Sequence, residues 1–204
     1  MTYFEDVRVG TRTEVGSHTF TADEIKAFAR EFDPQPFHLD EEAAARSHFG
    51  ALCASGWHTA AVCLRHVVLA RQRQQAELRQ PGEPVARTGP SPGLRDLKWP
   101  RPVYVGDTIA FAQEIVELRP VASRSDVGLR VARHTGTNQR GELVYSVLSS
   151  TFIERRAGSS GRSASLNPAA APKDGRRTQA WDPLKWCRSP GFAQVHGPAA
   201  DVVK

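Results

Sequence analysis

Nothing in the 204 residues approaches the roughly 18 consecutive apolar positions that a bilayer span requires. The first residues, Met1-Thr2-Tyr3-Phe4-Glu5-Asp6, are acidic and lack the basic start and apolar core of a secretory leader. Cysteine is scarce. Cys53, Cys63 and Cys187 form an odd set without CxxC spacing, which argues against a disulfide framework and against a structural zinc site. The expectation is a cytoplasmic protein with no metal and no membrane partner. Cys53 and Cys63 sit in apolar stretches and read as buried thiols.

Charge of one sign is also missing from most of the chain. The net charge is +5, yet residues 1–156 carry 20 Lys and Arg against 19 Asp and Glu. Residues 157–204 carry 7 against 3, so the basic excess belongs to the tail. A nucleic-acid surface needs cations gathered on a folded face with interleaved aromatics. The body shows no such pattern, and no nucleic-acid partner is expected. From Ala157 onward the chain is rich in Ser, Ala, Gly and Pro without periodicity, which reads as a disordered tail. The expected organisation is one domain over 1–156 and a basic tail over 157–204, to which no function is assigned.

The body alternates clear signals. Arg12 to Phe20 reads as a first strand. Thr21-Ala22-Asp23-Glu24 is a capping box, and Ile25, Phe28, Ala29 and Phe32 follow at helical spacing, predicting a helix over 22–32. Asp40 is the next N-cap, with acids in the first turn of a short helix that runs through Ala43 to Ser47. Ser55-Gly56 opens the most apolar helix of the chain, where only Arg65 and His66 interrupt the stretch to Ala70 as strongly polar residues. A helix apolar on nearly all sides is predicted to be buried. After a polar stretch from Arg71 to Pro92, Leu94–Trp99, Asp107–Leu118, Val127–Asn138 and Leu143–Glu154 read as strands separated by turns. One strand, then helices, then four strands predicts an α+β fold with an antiparallel sheet packed on the apolar helix.

The most informative segment is Phe32-Asp33-Pro34-Gln35-Pro36-Phe37-His38. It places a carboxylate and an imidazole five residues apart. Two prolines fix their own φ and push the preceding residues toward extended geometry, so 33–38 is predicted to be a stiff extended strip. Fully extended, it would hold Asp33 and His38 about 16 Å apart along the backbone. The strip must therefore curve for both side chains to touch one water.

Asp33-Pro34-Gln35-Pro36-Phe37-His38 resembles the D-x-N-P-x-H signature of MaoC-like dehydratases, the family of (R)-specific enoyl-CoA hydratases. The resemblance extends to Tyr3-Phe4-Glu5-Asp6, to Phe49-Gly50 with Ala54-Ser55-Gly56, to Leu97–Val103 with Gly106-Asp107, and to Asn138–Glu142. It covers residues 1–156 in family order. Two positions depart from the family: its Asn is Gln35 here, and the residue before its glycine, often His, is Ser55.

The resemblance implies a hot-dog fold, with five strands wrapped around a long central helix, and pairing into a homodimer. It implies addition or removal of water across C2–C3 of an acyl thioester. Asp33 and His38 would activate the water, and the Gly56 N–H at the helix start would stabilise the enolate oxygen. Gln35, Ser55 and Trp57 would contact substrate, although Ser55 reads first as the N-cap of the helix. No cofactor is implied, because CoA or acyl carrier protein enters as part of the substrate. Arg95, Lys98 and Arg101 are open to two roles, CoA phosphate contacts or solvated strand-end charges. His58 and His66 read as core or interface residues. Two other functions stay open: a non-catalytic acyl-CoA-binding module, and a thioesterase. The latter needs a carboxylate on the central helix, and none lies between Gly56 and Ala70.

Overall fold

The computed structural model describes residues 3–78 and 85–157. The predicted tail lies outside the described residues from position 158 onward, as do residues 79–84 of the polar stretch. After a short 3-10 turn at Phe4–Asp6, β1 (Arg12–Thr19) leads into α1 (Ala22–Phe32), α2 (Pro36–Leu39) and α3 (Glu41–Ala45). The long helix α4 (Gly56–Leu78) follows, then β2 (Gly93–Lys98), β3 (Thr108–Pro120), β4 (Val127–Thr137) and β5 (Leu143–Glu154). The strands form one sheet in the order β1-β3-β4-β5-β2, and every neighbouring pair is antiparallel. This is the expected α+β hot-dog arrangement, with α4 against the inner face of the sheet.

The capping box predicted at Thr21 is present. Thr21 Oγ1 accepts from the Glu24 N–H at 3.3 Å, and the Glu24 carboxylate accepts from the Thr21 N–H at 3.2 Å. Ile25 and Ala29 of α1 are fully buried, as the spacing required. Asp40 caps α3 through the Ala43 N–H at 2.8 Å, but that helix ends at Ala45 rather than Ser47.

Two expectations need correction. The segment 33–38 is not extended throughout. Gln35 is extended (φ −79°, ψ 140°) as its proline neighbour demands, but Pro36 occupies the first position of α2. Proline is well suited there, because its φ is already helical and the missing N–H has no partner to lose. One helical turn therefore folds His38 back toward Asp33.

Nor is α4 buried on all sides. Thr59 and Cys63 face the sheet and are closed to solvent, whereas Trp57 is 56% and Leu64 63% exposed. The sheet and α1 pack against only part of α4, and among the described residues Trp57 and Leu64 are left open to solvent.

The core gathers Val15, Phe20, Ile25, Ile109, Phe111, Val144 and Val147 between helices and sheet. β1 bulges at Gly16, whose positive φ of 140° lets the chain pass close over His66. A Cβ on Gly16 would lie 2.5 Å from His66 Nδ1, so glycine is required there for space as well as for φ.

Candidate active site

The site forms where three backbone segments meet. The first is the α1–α2 corner. Asp33 closes α1, its N–H donating to the Ala29 carbonyl at 3.0 Å, and the Gln35 N–H donates back to the Asp33 carbonyl at 2.7 Å. The second is the stretch Leu52–Ser55, held straight by pairing with the β2–β3 connection: the Ala54 N–H donates to the Val103 carbonyl at 2.8 Å, and Cys53 bridges Tyr104. The third is that connection itself. Its curve is pinned by buried Asp107, which accepts from the Tyr104 N–H at 2.9 Å and from Gln139 Nε2 at 2.7 Å.

His38 is buried between the first two segments. Its Nδ1 lies 2.7 Å from the Cys53 carbonyl oxygen. A carbonyl only accepts, so the neutral ring carries its proton on Nδ1 and presents a lone pair at Nε2. That lone pair faces Asp33 Oδ2 at 3.6 Å. The separation is too long for a direct hydrogen bond, and it suits two acceptors that share one donor. The Cys53 thiol is within 3.8 Å of the same imidazole, but burial pushes its pKa up to about 11, so it stays protonated at neutral pH.

Ser55 takes the N-cap role. Its Oγ accepts from the Trp57 N–H at 3.2 Å, and its carbonyl accepts from the Thr59 N–H at 3.2 Å. Among the described residues the Gly56 N–H has no partner, as befits the first turn of a helix. A Cβ on Gly56 would lie 2.6 Å from Trp99 Cε2, so glycine here makes room for the Trp99 indole. Trp99 in turn packs edge-on against Trp57, with ring centroids 5.3 Å apart.

These groups line one cavity of about 430 Å³, which takes in Asp33, His38, Ser55, Gly56, Trp57 and Trp99. Five of the six residues singled out from sequence thus share a cavity. Gln35 does not join them; it is exposed at the head of α2, and its backbone rather than its amide serves the corner, accepting from the His38 N–H at 2.9 Å. Arg101 lines the same cavity and lies 3.5 Å from Glu142, so it has a carboxylate partner within the chain. His58 is a core residue, stacked on Phe28 at 4.6 Å, and burial lowers its pKa. Sequence reasoning gave no role to the Cys53 carbonyl or to Trp99. A backbone acceptor leaves no residue-type signal, and Trp99 was visible only within the segment Leu97–Val103. Among the described residues no three His, Cys, Asp or Glu side chains are grouped to hold a metal ion.

Comparison with known proteins bears on the family and the fold. The model of the MaoC-like domain family matches residues 7–137. The crystal structure of a MaoC-like dehydratase from Rhodospirillum rubrum is 40% identical in sequence and matches with a TM-score of 0.65, covering 76% of this chain and 99% of that one. A 3-hydroxybutyryl-CoA dehydratase from Methylorubrum extorquens is 32% identical over 128 residues, 60% of this chain and 69% of that protein. The unliganded (R)-hydratase PhaJ1 from Pseudomonas aeruginosa, 22% identical with a TM-score of 0.52 over 83% of this chain and 96% of that one, shares the fold.

Proposed function

The chain belongs to the MaoC-like domain family, and on that premise we propose that it hydrates an enoyl thioester to the 3-hydroxyacyl thioester and catalyses the reverse dehydration. One observation carries the proposal: His38 Nε2 and Asp33 Oδ2, two acceptors 3.6 Å apart, face each other in the cavity that the start of α4 also lines.

A water placed between them donates one hydrogen to each, and its oxygen lone pairs then point toward the cavity. Attack of that oxygen on C3 shifts the double-bond electrons toward the thioester carbonyl. The Gly56 N–H, at the positive end of α4, donates to the oxygen as it gains enolate charge. The proton taken from the water passes to C2 on the same face, so H and OH are both added and neither side chain is changed. The Cys53 carbonyl holds the imidazole in the tautomer this requires. The scheme uses no cofactor; CoA or acyl carrier protein arrives as the thiol half of the substrate.

The assay is crotonyl-CoA, followed at the enone absorbance beside thiol release. Loss of the enone without free thiol is expected, and Asp33→Ala or His38→Ala should slow it by about 10²–10⁴-fold. Thiol release would replace hydration by hydrolysis. Against that outcome, the only carboxylate on α4 is Glu77, at the opposite end of the helix from Gly56. Silence with both CoA and carrier-protein thioesters would favour a binding module, a reading supported by the Trp99 ring lying where a Gly56 Cβ would stand.

A second copy of the chain is the proposed partner. Among the described residues β2 has a neighbour only in β5, and Leu94 on this open edge and Trp57 and Leu64 on α4 are exposed apolar residues. Edge-to-edge pairing of two sheets would cover both the strand edge and the outer face of α4.

A further inference from the structure

A second cavity, of about 330 Å³, opens between the far half of α4 and the inner face of β1, β3 and β4. Its volume falls within the range of about 300–1,000 Å³ usual for ligand sites. It starts about 16 Å along the helix from Gly56, taking 1.5 Å per residue to Val67, and shares no lining residue with the cavity at Asp33. Arg71, Arg73 and Arg130 line it, with Val15, Val67 and Ala70 forming an apolar wall.

The arginines are conspicuous for what they do not touch. Arg130 Nε is closed to solvent and has no hydrogen-bond partner among the described residues. Arg71 likewise makes no ion pair there, and its charge acts on Arg130, whose pKa is pushed down to about 10 mainly by burial. Arg73, an exposed residue, donates among the described residues only to the Val15 carbonyl, at 3.3 Å. Elsewhere on β4, Arg133 has Glu114 at 3.4 Å. Four residues on from Arg130 along β4, and so on the same inner face, His134 is buried with its Nε2 2.6 Å from Ser149 Oγ and its Nδ1 without a partner. Two carboxylates, Glu14 and Glu77, also line the cavity; both residues are exposed, and neither lies within ion-pair distance of these arginines among the described residues.

A half-buried guanidinium whose Nε is closed to solvent without a partner, facing the charge of a second arginine, is costly unless something negative arrives. We propose that this cavity binds a small organic anion, held through a carboxylate or phosphate group by Arg71, Arg73 and Arg130, at a site separate from Asp33 and His38. Three guanidiniums against two carboxylates leave an excess positive charge for the ligand's head. Glu14, Glu77 and the amides of Gln74 and Gln113 supply acceptors for hydroxyl or ammonium groups on its body.

The full chain is titrated with inorganic phosphate and, separately, with succinate, at constant ionic strength with chloride as control, following the unfolding temperature and heat of binding. At least one probe is expected to give saturable stabilisation that chloride does not. Arg71→Ala, at a half-buried position, should weaken the apparent affinity at least about tenfold, and Arg130→Gln should do the same. Arg176→Ala/Arg177→Ala in the basic tail, and Asp33→Ala in the other cavity, should leave it unchanged. Stabilisation that does not saturate, that survives Arg71→Ala, or that vanishes with the tail substitutions would overturn the site. Should Arg130→Gln fail to fold, the Arg71 variant decides alone.

Discussion

At the scale of single residues, the position of Gly56 is set by its neighbours more than by its own flexibility. Its φ is not in the left-handed region, so the constraint is space: a Cβ would meet the Trp99 ring at 2.6 to 2.9 Å. Gly56→Ala is therefore expected to push the indole or the first turn of α4 aside, costing about 1–3 kcal/mol of stability. It should also slow hydration, because the N–H proposed to meet the enolate moves with that turn. Trp99→Ala removes the clash without restoring the displaced contacts. In a double-mutant cycle on unfolding free energy, Gly56→Ala should cost less than about 0.5 kcal/mol once Trp99 is alanine. An equal cost in both backgrounds would mean that the glycine serves something other than the indole.

At the scale of elements, the sequence was most legible where a local rule had no competitor. The capping box at Thr21 fixed the start of α1, and Asp33-Pro34 fixed its end. The strands lay within one or two residues of their predicted limits, because turns at Gly106 and Gly141 bracket alternating apolar runs. Pro36 was harder, since proline both ends helices and begins them; the choice depends on whether the residue before it has already left the helix. α4 was misjudged for a different reason. Apolar periodicity reports how much of a helix surface must be covered, not whether its own chain provides the cover. The site was legible as residue types at Asp33, His38 and Gly56, but the tautomer-fixing Cys53 carbonyl arises only when Leu52–Ser55 pairs with the β2–β3 connection. Thr21→Ala tests the local rule directly. It removes the acceptor for the Glu24 N–H on an exposed helix end and should cost about 1 kcal/mol in urea unfolding. No change would mean that the tertiary contacts of Ile25 and Ala29 hold α1 without its cap.

At the scale of the whole molecule, two features extend beyond any one element. The first is the uncovered apolar side of α4 with the open edge of β2. If a second copy covers them, sedimentation will give twice the chain mass, and Leu64→Glu will shift the population toward the monomer. A monomeric wild type at tens of micromolar would remove the dimer from the account.

The second feature is a set of buried and half-buried imidazoles. Burial, assisted by the charges of Arg130 and Arg71, pushes the His134 pKa down to about 4, and burial also lowers those of His58 and His66. As pH falls, an unfolded chain takes up protons on these rings before the folded chain does. Protons therefore favour the unfolded state as pH falls. The stabilising difference is complete above about pH 6.5 and is lost progressively as pH falls through about 4. For His134 alone it amounts to about 3 kcal/mol at most. Unfolding free energies of wild type and His134→Gln at pH 7 and pH 4.5 isolate this share, because carboxylates such as Glu24 titrate alike in both. The wild type should lose about 2 kcal/mol more than the variant over that interval. Equal losses would mean that His134 is protonated inside the fold, which would require an anion or a solvent path beside Arg130 already in the free protein.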